Sequence, residues 1–189
     1  EVLLMPFPSE DGQVPVITHT DLHAAIPHFD SATSPNPEAQ ARSLANPSDI
    51  VVDPVKPRAY IAALGTDRVG VVSSENGQVL ATADVGRGPR ALAVDSFGRR
   101  LYCFNRTDLS ISVLNIETDA PQVLTETRLM SPEPRAVIAG RNFAVTTRLS
   151  NNFSSSCAMC HIDGGFDGLA WDPGDPPGTQ MLPTPIGPA

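Results

Sequence analysis

Cys157-Ala158-Met159-Cys160-His161 is the stretch of this chain whose residue types can do chemistry. Two thiols three positions apart, with an imidazole directly after the second, form the attachment pattern of c-type haem. Each thiol can add across one vinyl group of a porphyrin: a C–S bond forms and the thiol hydrogen ends on the vinyl carbon. One turn of chain then straddles one edge of the ring and holds His161 under the iron, where a ring nitrogen can be the proximal ligand. Three other uses of these residues stay open. A redox dithiol would employ Cys157 and Cys160, but it needs no histidine and usually lies near a βαβ pattern. A structural zinc site needs four ligands, and no second Cys/His pair lies nearby. The thiols can also be unmodified loop residues. The spacing favours one covalent haem c, with His161 as its metal ligand.

The second axial position of such an iron has several candidates. Met181 follows His161 by 20 residues, and His/Met ligation raises the potential and suits electron transfer. His19, His23 and His28 lie in the N-terminal arm, and a ligand from outside this chain is a further alternative. His19 and His23 are four apart, a spacing that shares one face if that stretch is helical. Trp171, the single tryptophan, either stacks near the porphyrin and donates its indole N–H to a propionate or fills core.

Those residues need a scaffold, and composition limits what it is. The 189 residues are 41% apolar and 18% charged, enough for a packed core. Their 19 prolines and 14 glycines exceed the usual combined share of about 12% and argue for many turns rather than a helical bundle. The net charge of −8 repels phosphates, which argues against nucleic acid as a partner and suits basic protein partners. No apolar run approaches the ~20 residues of a membrane span. The chain starts at Glu1 without a basic-then-apolar leader; either a signal has been removed or a longer protein surrounds this sequence. Cys103 has no partner outside the motif and reads as a small buried residue in a strand.

Three regions are expected. Residues 1–46 read as an extended arm with an edge strand near Glu1–Val16. In that arm, a short helix near Thr20–Ile26 is capped by Thr18 or Thr20 and stopped by Pro27, and another starts at Pro37. Residues 47–130 contain a repeat. Pro47-Ser48-Asp49-Ile50-Val51-Val52-Asp53 aligns with Pro89-Arg90-Ala91-Leu92-Ala93-Val94-Asp95 at an offset of 42, and the same offset brings Arg58 to Arg100, Tyr60 to Tyr102, Val69 to Ile111 and Val71 to Val113. A period of ~40–45 residues with several short strands is the spacing of a propeller blade. Strands are expected at 50–53, 58–64, 68–72 and 79–85, with a tight hairpin at Asn76-Gly77, and again at 91–94, 101–105 and 110–116. A third echo begins at Pro134-Arg135-Ala136. Residues 131–189 then form a small, mostly irregular or helical haem segment, incomplete as a c-type domain. The fold class is mainly β: partial propeller-like blades followed by that segment.

The runs Tyr60-Ile61-Ala62-Ala63 and Tyr102-Cys103-Phe104-Asn105 resemble, in part, the secreted propeller repeats with a Tyr-Val-Thr-Asn consensus. Ala139-Gly140-Arg141-Asn142-Phe143, Leu149-Ser150, and Ser156 through His161 with Gly168-Leu169-Ala170-Trp171-Asp172 resemble the c-type cytochrome domain fused to such repeats in secreted bacterial proteins, similar to the dihaem peroxidase and methylamine-utilisation (MauG-like) group. The resemblance covers about residues 47–180. It implies a helix from Pro134 to Leu149, with Phe143 packed against the haem edge and Arg148 approaching a propionate.

The expected function is electron transfer by an exported monohaem c-type cytochrome, periplasmic or extracellular, that meets a redox partner protein or other subunits of a cytochrome assembly. One alternative is the haem-bearing part of a dihaem peroxidase or oxidase, which needs a second haem that one motif cannot supply. Another is a structural subunit of a larger cytochrome assembly.

Overall fold

The computed structural model describes residues 2–4, 18–20, 37–150, 153, 155–161 and 165. Val2–Leu4 (β1) pairs antiparallel with Thr18–Thr20 (β2). Thr18 and Thr20 are strand residues, and His19 stands in register with Leu3. Threonine favours extended backbone. Beyond Thr20, the short helix expected near Thr20–Ile26 lies outside the described residues. His23 and His28 lie outside the described residues. Pro37–Arg42 (α1) is the short helix expected there.

Two four-stranded antiparallel sheets follow, each a simple meander. The first holds Pro47–Val52 (β3), Arg58–Ala63 (β4), Arg68–Ser73 (β5) and Val79–Asp84 (β6). The second holds Pro89–Val94 (β7), Arg100–Asn105 (β8), Ser110–Asn115 (β9) and Gln122–Arg128 (β10). The first three strands of each begin 42 residues apart, as the repeat requires. Sequence reading did not single out β10, although its Val123, Thr125 and Thr127 carry the β-branched signal. At Asn76-Gly77 the connection is longer than a two-residue hairpin. Ser73 N–H donates to Gln78 O and Gly77 N–H to Ser73 O, with Gly77 at φ +70.

The blades stack face to face. Tyr60, Ala62, Val69 and Val71 of the first meet Leu92, Leu101, Cys103 and Leu114 of the second. Cys103 is buried in a strand, and burial lifts its thiol to about 12. Each fully buried aliphatic side chain here contributes about 1.5–3 kcal/mol. The far face of the first blade, Ala59, Ile61, Ala63 and Val72, is covered by Leu44, so every residue of β4 is buried. In β8 burial alternates instead. The repeat equivalents of the stacking residues, Tyr102, Phe104, Ile111 and Val113, form the far face of the second blade. Tyr102 is 43% exposed where Tyr60 is 0%.

A buried polar cluster joins the blades. Asp53 Oδ2 accepts from Arg58 Nε at 2.8 Å and from Tyr60 Oη at 2.6 Å, while Oδ1 accepts the Val55 and Lys56 N–H groups. Arg58 then reaches across to Ile116 O and Thr118 O. Burial alone would raise the Asp53 carboxyl, but the bonds it accepts outweigh that and hold it at about 2. A carboxylate whose folded pKa is depressed contributes stability above its unfolded pKa of about 3.9 and loses it as pH falls through the folded value. Urea melts should therefore show the wild type losing about 2 kcal/mol more than Asp53→Asn between pH 5 and pH 2. Parallel losses in the two proteins would refute this assignment.

Beyond β10 the echo at Pro134 does not make a strand. Arg135–Val145 (α2) is helical, its Ala136, Ala139 and Ala144 being strong helix formers. It ends at Val145, with Thr146 as its extended C-cap, rather than at Leu149. Cys157–Cys160 (α3) is a single turn with His161 following it. Among the described residues no helix is long and apolar enough to cross a membrane.

Candidate functional site

The segment after α2 is tied to the first blade. Thr147 donates from both N–H and Oγ1 to Gly65 O, at 2.8 and 2.9 Å, and Ser43 Oγ donates to Phe153 O at 3.1 Å. Only a glycine allows this approach: a Cβ on Gly65 would stand 2.5 Å from Thr147 Cγ2 and 3.2 Å from Ala45 O. Arg148 Nη2 donates to Thr66 O at 2.8 Å, and Nε lies 3.4 Å from Asp67 Oδ2. Burial raises the Asp67 carboxyl, opposed by the Gly88 N–H and by Arg148.

Arg148 therefore serves the docking of this segment, not the lining of the cleft described next. Phe143 is 63% exposed on α2 and lies outside that cleft as well. Trp171 and Met181 lie outside the described residues.

A cleft of about 890 Å³ opens between α2, α3 and the adjacent ends of both blades. Cys157, Ala158, Met159 and His161 line one side; Asn46, Leu64, Arg90, Arg106 and Thr107 line the blade side, with Arg141 and Val145 from α2. The three cysteines form no disulfide; Cys157 is exposed and Cys160 half-buried. His161 Nδ1 lies 3.1 Å from Gly165 O. A carbonyl only accepts, so Nδ1 donates this hydrogen bond. This is the arrangement by which a backbone carbonyl orients a metal-ligating histidine.

Two buried side-chain oxygens, Asn142 Oδ1 and Ser156 Oγ, on residues next in sequence to the cleft-lining Arg141 and Cys157, have no hydrogen-bond partner among the described residues. The donor set, the size of the cleft and its cationic wall fit an iron porphyrin carrying two carboxylates. Among the described residues no group of three or more His, Cys, Asp or Glu side chains gathers as a separate metal site.

Sequence reasoning missed Arg90 and Arg106. The available signal was that each breaks the repeat: at the offset of 42 they replace Ser48 and Leu64.

Among solved structures, the chain is similar to hydrazine synthase of Kuenenia stuttgartiensis, at 25% identity over 46% of this chain and 24% of that one, with a TM-score of 0.42. It is also similar to a putative 6-phosphogluconolactonase of Bacteroides fragilis, at 18% identity over 44% and 26%, TM-score 0.39. A third is BamB of Moraxella catarrhalis, at 10% identity over 46% and 25%, TM-score 0.39. The chain spans about a quarter of the length of these structures. No curated protein matches the sequence. The family described as lactonase, 7-bladed β-propeller matches residues 12–154 and stops just short of Cys157. With that match over most of its length and two stacked four-stranded blades within it, the chain belongs to the lactonase, 7-bladed β-propeller family.

Proposed function

We propose that this propeller-repeat protein carries one covalent haem c and acts in electron transfer outside the cytoplasm. The observation that carries the reading is the pattern Cys157-Ala158-Met159-Cys160-His161, whose cysteines bound a single helical turn and of which Cys157, Ala158, Met159 and His161 line a cleft shared with three arginines. Cys157 and Cys160 would hold the porphyrin through thioethers. His161, oriented by the Gly165 carbonyl, would present Nε2 to the iron. A haem held by these residues would supply one-electron chemistry between a reduced donor protein and an oxidised acceptor protein. The propeller blades fix the cleft wall, and the Gly65–Thr147 contact holds the haem segment on them. An acidic chain of net charge −8 suits basic redox partners or further subunits of a cytochrome assembly.

The test is the mass of the protein after export from a host with haem-attachment machinery and acid denaturation. The expected result is the polypeptide plus one haem in the wild type, and the bare polypeptide in Cys157→Ala/Cys160→Ala. A bare polypeptide in the wild type would overturn the reading. A reduced low-spin spectrum unaffected by carbon monoxide would support the carrier, whereas high-spin iron that binds it would favour the peroxidase-like alternative.

A further inference from the structure

Arg148 and the cleft diverge, so the charges that meet a bound group there must come from elsewhere. Arg90, Arg106 and Arg141 line the same cleft as Cys157 and His161. Arg141 is already paired with Glu133. The guanidiniums of Arg90 and Arg106 make no hydrogen bond or ion pair among the described residues, although Arg106 adds to the field around Glu133. Both belong to the second blade, Arg90 on β7 and Arg106 in the turn between β8 and β9.

Their placement is built into the fold. The register of β7 against β8 shifts between Pro89 and Ala91, so Arg90 is the extra residue of a β-bulge. Bulges turn a side chain out of the regular alternation and recur beside functional sites. The first blade has the same bulge at Ser48, whose hydroxyl is spent on Pro89 O at 2.8 Å and Ala62 O at 3.3 Å. Arg106 is held from behind, its N–H donating to Gly88 O at 2.9 Å. An arginine at each of these positions, on a chain of net charge −8, sets two cationic forks in the lining of the cleft.

We infer that Arg90 and Arg106 bind the paired carboxylates of the group held at Cys157, Cys160 and His161, so that the propeller, not the haem segment, supplies the propionate contacts. This rests on the haem reading above. Two cations beside a haem favour its reduced, less positive iron, because the electron gained interacts attractively with them.

The test is the midpoint potential of the purified holoprotein. Arg90→Gln/Arg106→Gln is expected to lower the reduced-to-oxidised ratio about tenfold at a fixed poise, about 59 mV for one electron. Each single Gln variant should give part of that shift, and Arg106→Lys should restore most of what Arg106→Gln loses. Arg148→Gln should leave the potential in place while loosening the contact with Thr66. An unchanged potential in the double variant, or an equal fall in Arg148→Gln, overturns the inference while the haem reading stands. A wild-type mass without haem overturns both. The two side chains are exposed, so an unchanged circular dichroism melt is expected to accompany the shift.

Discussion

Arg58→Ala should destabilise the protein by about 3–5 kcal/mol, whereas Arg100→Ala, the same position of the next repeat, should cost less than about 1 kcal/mol. Arg58 is 2% exposed. Its Nε sits 2.8 Å from Asp53, and its Nη1 sits 2.9 Å from both Thr118 O and Asp119 Oδ1, while Nη2 serves Ile116 O. Truncation leaves the Asp53 carboxylate buried without its cation and strands carbonyls of the second blade. The Asp119 contact adds little, because that carboxylate is 77% exposed. Among the described residues Arg100 donates to Arg99 O and Asn115 Oδ1, both within its own blade. Paired urea titrations followed by circular dichroism compare the two variants. Similar losses would mean that the inter-blade bonds of Arg58 contribute nothing.

Gly88→Ala is the second large effect, about 3 kcal/mol. Gly88 has φ +65, a left-handed conformation that costs a residue with a Cβ about 1–2 kcal/mol. A Cβ there would also stand 2.1 Å from Thr107 Oγ1 and 2.9 Å from Thr107 Cβ, and Thr107 is buried. Forcing a methyl into such a site adds about 1–3 kcal/mol. Gly88 also donates its N–H to Asp67 Oδ1 at 2.9 Å and accepts from Arg106 N–H, so the strain falls where the two blades and the cleft meet. Gly140→Ala is the internal control. Nothing lies within 4 Å of a Cβ at Gly140, inside α2, so that change should stabilise by up to about 1 kcal/mol. Thermal melts of both variants check the pair, and equal melting temperatures would refute the argument from Gly88.

The sequence by itself determined the local layout of the propeller portion. The 42-residue offset, the alternation in Arg68-Val69-Gly70-Val71-Val72 and the prolines at 47 and 89 place the strands, because β-backbone geometry is read residue by residue. The proposal of a haem at Cys157, Cys160 and His161 also rests on residue types and spacing. What a strand face meets was decided only by the tertiary structure. Tyr60 and Tyr102 are equal in the repeat, yet one is buried against a second sheet and the other is half-exposed. Burial depends on which sheet lies opposite, and no local pattern encodes that.

The same holds for the arginines. Arg148 lies nearest the motif in sequence but is captured by Thr66 and Asp67, 82 and 81 residues away. Arg90 and Arg106 lie far from the motif in sequence and reach the cleft through a bulge and a turn. A guanidinium acts through space over a few ångströms, so its role followed from which backbone folded beside it and not from its place along the chain.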